Sequence, residues 1–305
     1  MLPAVITAFL YALSAIFSQR AVRCFGPLRA NAIRLTAACA LLGMITACID
    51  RYQGKPSLHP EVFGAFLLSG AAGFGIGDIA VFLAYPRLGS RLTLLVVYCS
   101  AVLFAAAGDW GMLGISLQAR QGAAVGLTLA GLVLVLWPDR RPVASGPGSD
   151  PAGILLAICG GAGQGIGTVL SGRANGIAAA LGMEVHGISQ AFQRSIAGAA
   201  AALAALIVAN RLWPGFNPTA SLRRGARPWA WMAATAVCGP VLGVSCYQWA
   251  RLLIPSTMVV AVAATSSLLV IPLARVMENE KISRRGLTGS LLAVGGVVWL
   301  CLLPR

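Results

Sequence analysis

Residues 138–151 read PDRRPVASGPGSDP. Four prolines, two glycines, two serines and four charged residues in fourteen positions are linker composition. On either side the sequence changes character. Of 305 residues, 58% are hydrophobic and only 10% are charged, against about 25% charged in an average soluble domain. A chain of this length with so few charges cannot clothe a globular surface for water.

The apolar residues come in runs long enough to cross a bilayer, which takes roughly 20 residues as a helix. Before the linker, windows of that size mark Leu2–Ser18, Ala32–Ile49, Val62–Leu83, Leu92–Ala107 and Ala123–Trp137. After it they mark Ile154–Leu170, Ile188–Ala209, Trp229–Trp249, Ser256–Ala274 and Leu287–Leu303. Backbone polar groups in hydrocarbon need partners inside the protein, so helices are the expected form. The runs lack the alternation of β-barrel strands. No basic residue precedes Arg20, so the first run reads as a retained span, not a signal peptide.

The two sides of the linker repeat one another. Ser18-Gln19-Arg20-Ala21 returns as Ser171-Gly172-Arg173-Ala174, 153 residues later. Arg34 returns as Arg194, Gly73 and Gly77 as Gly239 and Gly243, Ser90 as Ser256 and Gly131 as Gly295, at offsets of 160, 166, 166 and 164. With five spans per half, the second half must enter the membrane in the opposite sense. The expected fold class is an all-α integral membrane protein of about ten transmembrane helices in two inverted five-helix repeats. Their bounds are residues 1–137 and 152–305, joined by the linker at 138–151. Inverted repeats of this kind place a substrate site between the halves, near the midplane.

Residues 239–300 resemble the EamA-type domain of the drug/metabolite transporter superfamily. The resemblance rests on the glycine-containing helix with Tyr247 and Trp249, Ile254-Pro255-Ser256 opening the next helix, and Pro272 within that helix. Glu280 before Ile282-Ser283, and Gly286 through Gly295-Gly296-Val297, complete it. The first half is similar through Arg34, Gly73–Asp78 and Ala130-Gly131, and departs from the pattern where Pro272 and Glu280 would have counterparts. The resemblance implies ten helices, two repeats and carriage of small organic metabolites, often outward.

Asp78 is the one acidic residue well inside an apolar run. A carboxylate there is expensive unless paired or solvated, which makes it a candidate for substrate or proton handling. An ion pair with Arg34 is the alternative. Its counterpart at offset 166 is Val244, and a role imposed by the repeat would appear in both halves. On that ground Asp78→Asn is expected to spare stability and abolish gradient-driven flux. Arg34 and Arg194 either snorkel to the headgroups or hold an anionic substrate group. Gln164, Gln190 and Gln193 either bond between helices or line the pathway. Tyr247, Gln248 and Trp249 form a polar-aromatic cluster suited to an interface or to the pathway. Gly73, Gly77, Gly239 and Gly243 carry the G-x-x-x-G spacing of close helix packing or of a hinge, and Pro272 joins them as a hinge candidate. The run Gly73–Asp78 has neither the G-x-G-x-x-G spacing nor a following Lys-Ser, so it is no phosphate loop.

The net charge is +14. The basic residues sit in short loops without interleaved aromatics, so the expected partner is the membrane surface, not nucleic acid. Connections after the odd-numbered runs hold 14 of the 23 Lys and Arg, which by the positive-inside rule places them in the cytoplasm. The family resemblance implies cytoplasmic termini instead, and both arguments put the two termini on one side. Eight cysteines without a C-x-x-C pair, and His59 and His186 in loops, suggest no disulfide framework, metal or cofactor. A membrane enzyme would need a nucleophile–base pair or clustered ligands, and a sensory or structural subunit would need no polar cavity. The expected partners are the lipid bilayer, a small-molecule substrate and protons.

Overall fold

The computed structural model describes residues 2–54, 57–113, 119–136, 150–212, 226–253, 259, 262–277 and 283–303. The linker from 138 to 149, and with it Pro255, Ser256, Glu278 and Glu280, lies outside them. Among the described residues the only regular secondary structure is helix. The elements are α1 (Leu2–Phe25), α2 (Pro27–Gln53), α3 (Pro60–Gly70), a π-helical segment π1 (Ala71–Gly77), α4 (Asp78–Leu113) and α5 (Ala119–Leu136). They continue as α6 (Pro151–Ala180), α7 (Gly187–Leu212), α8 (Ala226–Ala236), a second π-helical segment π2 (Val237–Gly243), α9 (Val244–Leu253), α10 (Ser266–Met277) and α11 (Arg284–Leu302).

The stretch α3–π1–α4 is one helical run of the chain. Its apolar portion, Pro60–Gly108, spans 49 residues. A straight helix of that length would reach about 70 Å, over twice the roughly 30 Å hydrocarbon core. Gly89 breaks it, with φ 77° and ψ 173°, a conformation that only glycine adopts without strain. The third and fourth apolar runs of the sequence therefore meet at one residue. Among the described residues six helical stretches are long and apolar enough to cross a membrane, and Ala119–Val135 and Val262–Met277 are shorter apolar helices. Leu68, Ile76, Leu155 and Ile207 stand exposed on their outer faces, as side chains in contact with lipid would.

The repeat is visible in the element boundaries. Adding 166 to the bounds of α3, π1 and the start of α4 gives those of α8, π2 and the start of α9. Helices also pack reciprocally: α1 lies on α8, π2 and α9, while α6 lies on α3, π1 and α4. Two further pairs, α2 with α7 and α5 with α11, join the halves. The last pair is close because its small residues coincide. A Cβ on Gly296 would lie 2.6 Å from the Thr128 backbone nitrogen.

The helices are longer than their apolar runs. α1 continues past Ser18 to Phe25, and α6 past Leu170 to Ala180, because helix propensity does not end where hydrophobicity does. Arg284 and Arg285 lie before the last apolar run yet open α11, and Arg285 Nε donates to the Leu134 carbonyl at 3.1 Å.

Candidate functional site

The π-helical segments set the geometry of the centre. A π turn widens the helix and leaves main-chain groups displaced from the regular ladder. In π1 the sequence AAGFGIG brings three glycines to that turn; in π2, VCGPVLG adds Pro240, which has no N–H to give to the ladder.

Each π segment receives an arginine from the other half. Arg194 on α7 approaches Gly73: a Cβ there would lie 3.0 Å from its Nη2. Arg34 on α2 approaches Gly239, where a Cβ would lie 3.1 Å from its Nη1. Both guanidinium groups lie over phenyl rings, Arg34 at 4.6 Å from the Phe82 centroid and Arg194 at 5.1 Å from that of Phe74. Both are buried, so neither snorkels to the headgroups.

The two arginines then differ. Arg34 Nη2 forms an ion pair with Asp78 Oδ2 and donates to Asn31 Oδ1 at 3.1 Å. Gln164 Nε2, from α6, donates to Asp78 Oδ1 at 2.9 Å and to the Gly73 carbonyl at 3.2 Å. One carboxylate thus ties α2, α4 and α6 together. Arg194 has Val244 where Arg34 has Asp78. Among the described residues no hydrogen bond or ion pair reaches it, and its Nε is buried without a partner.

These groups line a central cavity of about 110 Å³, against the roughly 10–15 Å³ one water needs on the same measure. Helix α1 contributes Tyr11, Ser14 and Ser18; α4 contributes Asp78, Phe82, Tyr85 and Tyr98. Arg34, Gln164, Thr168, Arg194, Gly239, Val244 and Tyr247 also line it. Tyr11 stacks on Tyr98 with centroids 5.7 Å apart and lies 6.4 Å from Tyr247. Among the described residues no group of His, Cys, Asp and Glu is arranged to hold a metal ion.

Of the residues singled out from the sequence, Asp78, Arg34, Arg194, Gln164, Tyr247 and Gly239 meet at this cavity. Three others do not, although they are buried. Gln190 donates to the Val185 carbonyl at 2.8 Å, Gln193 to the Ser57 carbonyl at 3.1 Å, and Gln248 to Ser171 Oγ at 2.9 Å. None of the three lines the cavity, and each amide instead satisfies a backbone or hydroxyl group that hydrocarbon would leave bare. Trp249 is exposed, as an interfacial ring would be, and Pro272 is exposed within α10. Gly73 and Gly77 lie behind the wall, against α6. The tyrosines other than Tyr247 escaped the reading because lone aromatics in apolar helices carry no pattern. The one available signal was the 153-residue offset, which aligns Tyr11 with Gln164.

A bundle of apolar helices closed around a cavity that holds two arginines and a carboxylate is a multi-pass membrane protein with an internal polar site. The EamA-like transporter family model matches residues 1–137 and 151–302, and the chain belongs to that family. It is thus a membrane transporter of the drug/metabolite type. A crystal structure of another protein, 21% identical, covers 98% of this chain and 94% of its own, with a TM-score of 0.63. At that identity it shows a shared fold. Among curated proteins, none matches the chain.

Proposed function

We propose that the protein is a secondary transporter that carries a small organic metabolite by alternating access, as an exporter or exchanger in the cytoplasmic membrane. In this reading ten helices form two inverted five-helix repeats, residues 1–137 and 152–305, and the halves rock about the central cavity. The observation that carries it is the crossing of the two arginines. Each half sends one to the π segment of the other, so a rocking motion changes both contacts at once. The π segments, bearing Gly73, Gly77, Gly239 and Gly243, are the bending points. Asp78 is where a proton enters the cycle, since its protonation would dissolve the ion pair with Arg34 and free α2 from α4.

The test is a metabolite screen in reconstituted liposomes, with and without an imposed pH gradient. At least one solute should cross faster than in protein-free vesicles, and faster again under the gradient. Equal leak for every solute would overturn transport; a flux indifferent to the gradient would overturn proton coupling alone.

A further inference from the structure

We infer that the substrate is a small organic monoanion whose carboxylate binds Arg194 and whose apolar or aromatic body lies against Tyr11, Tyr98 and Tyr247. This deepens the transport reading and rests on it.

The charge balance of the cavity leads there. Its wall holds two guanidinium groups and one carboxylate. Asp78 is already committed, to Arg34 on one oxygen and Gln164 on the other. One positive charge therefore remains, on a residue only 3% exposed. A buried cation without an anion is among the costlier arrangements a protein can hold. The Phe74 ring offsets part of that cost. It leaves the planar fork of N–H donors without the paired oxygens that it fits best. A carboxylate entering the cavity would supply them and bring the site to neutrality.

The same balance excludes other charge types. An organic amine would add a second excess positive charge, and its one anionic partner is already bonded on both oxygens. A zwitterion would have to draw Asp78 from Arg34, leaving two arginines to one carboxylate. A dianion would overcompensate. Tyr11 and Tyr98, stacked on one another, and Tyr247, tilted against Tyr11, line the same cavity and give the body of the ligand an aromatic wall.

Phenylacetate, phenylalanine and phenethylamine share one ring and carry an anion, a zwitterion and a cation. Binding of each to the purified full-length protein is measured by calorimetry, with acetate and indole-3-acetate extending the acid series. We expect an aromatic acid to bind more tightly than the other two charge types. Arg194→Gln should weaken the acid at least about tenfold, as expected for a lost hydrogen bond to a charged group, and Arg194→Lys should recover part of it. The melting temperature of Arg194→Gln should stay close to that of the parent, since among the described residues the side chain it removes has the Phe74 ring but no hydrogen-bond or ion-pair partner. Tighter binding of phenethylamine or phenylalanine, no binding by any of the acids, or an acid affinity unchanged in Arg194→Gln would each overturn the proposal. Failure of the transport reading looks different: acids bind through Arg194, yet no solute crosses the liposome membrane.

Discussion

The two π segments are the same device in different surroundings. Around π1 the neighbouring helix comes close by its backbone. A Cβ on Gly163 of α6 would lie 2.6 Å from Gly77 Cα and from the Ala72 carbonyl oxygen. A hydroxyl bond to the neighbour's main chain is common to both sides: Ser69 Oγ donates to the Gly167 carbonyl at 2.6 Å and Thr235 Oγ1 to the Ser14 carbonyl at 3.5 Å. Around π2 the neighbour α1 comes close by its side chains. A Cβ on Gly239 would meet Ser14 Oγ at 2.6 Å, and one on Gly243 would meet the Tyr11 ring at 2.8 Å. The polar residues follow the same division: π1 has Gln164 and Asp78 where π2 has Tyr11 and Val244. One interface is a tight polar lock, and the other is a softer aromatic wall. The difference teaches that a duplicated fold can keep its π turns while the contacts around them diverge, main chain and a carboxylate on one side, side chains on the other.

The sharpest way to break this comparison is at Asp78. Asp78→Asn leaves Arg34 buried without its anion, and breaking one partner of a buried pair costs about 3–5 kcal/mol. The ion pair thus reverses the expectation from sequence that this substitution would spare stability. Thermal unfolding in detergent should show a large loss, mostly recovered in the double variant with Arg34→Gln. No loss would mean the pair is not holding the helices. The converse substitution, Val244→Asp, would give Arg194 the partner it lacks. We expect it to leave the melting temperature close to that of the parent while abolishing binding of phenylacetate.

A smaller effect separates backbone from side-chain contact. Gly163→Ala should cost about 3 kcal/mol, the upper range for overpacking, because the new methyl meets main chain that cannot turn aside. Gly239→Ala should cost visibly less, since Ser14 can change rotamer. Equal losses in the two melting curves would show that the backbone contact is not what distinguishes the halves.

Next comes the lock itself. Gln164→Leu removes the amide that donates to Asp78 and Gly73. A hydrogen bond to a charged group contributes about 1.5–3 kcal/mol, and a loss near the lower figure is expected because Arg34 still holds Asp78. Tyr11→Phe, at the matching place in α1, should leave the melting temperature near that of the parent. The reverse ranking would move the lock to the aromatic side. Smallest of all should be Arg87→Ala. Its bond to Asp150 at 3.0 Å joins two side chains that are 41% and 39% exposed, and such pairs contribute below about 1 kcal/mol. A chemical denaturation series can place it beside the others.

By itself the sequence determined that the chain lives in a membrane, is built of helices and is internally repeated. Hydropathy and spacing are local properties, and a bilayer leaves the backbone few alternatives to helix. It also singled out Asp78, Arg34 and Arg194, because charge in an apolar run is conspicuous whatever surrounds it. Only the tertiary structure decided that Asp78 is spent on Arg34 while Arg194 is left over. It alone kept Gln190, Gln193 and Gln248 out of the cavity wall, and it brought Tyr11, Tyr98 and Tyr247 together. The reason is physical. In a soluble helix the polar face marks the outside, so rotation about the helix axis can be read from the pattern. In a membrane helix the lipid-facing and protein-facing sides are both apolar. Which face looks into the cavity is therefore set by the neighbours it packs against, and those neighbours come from the other half of the chain.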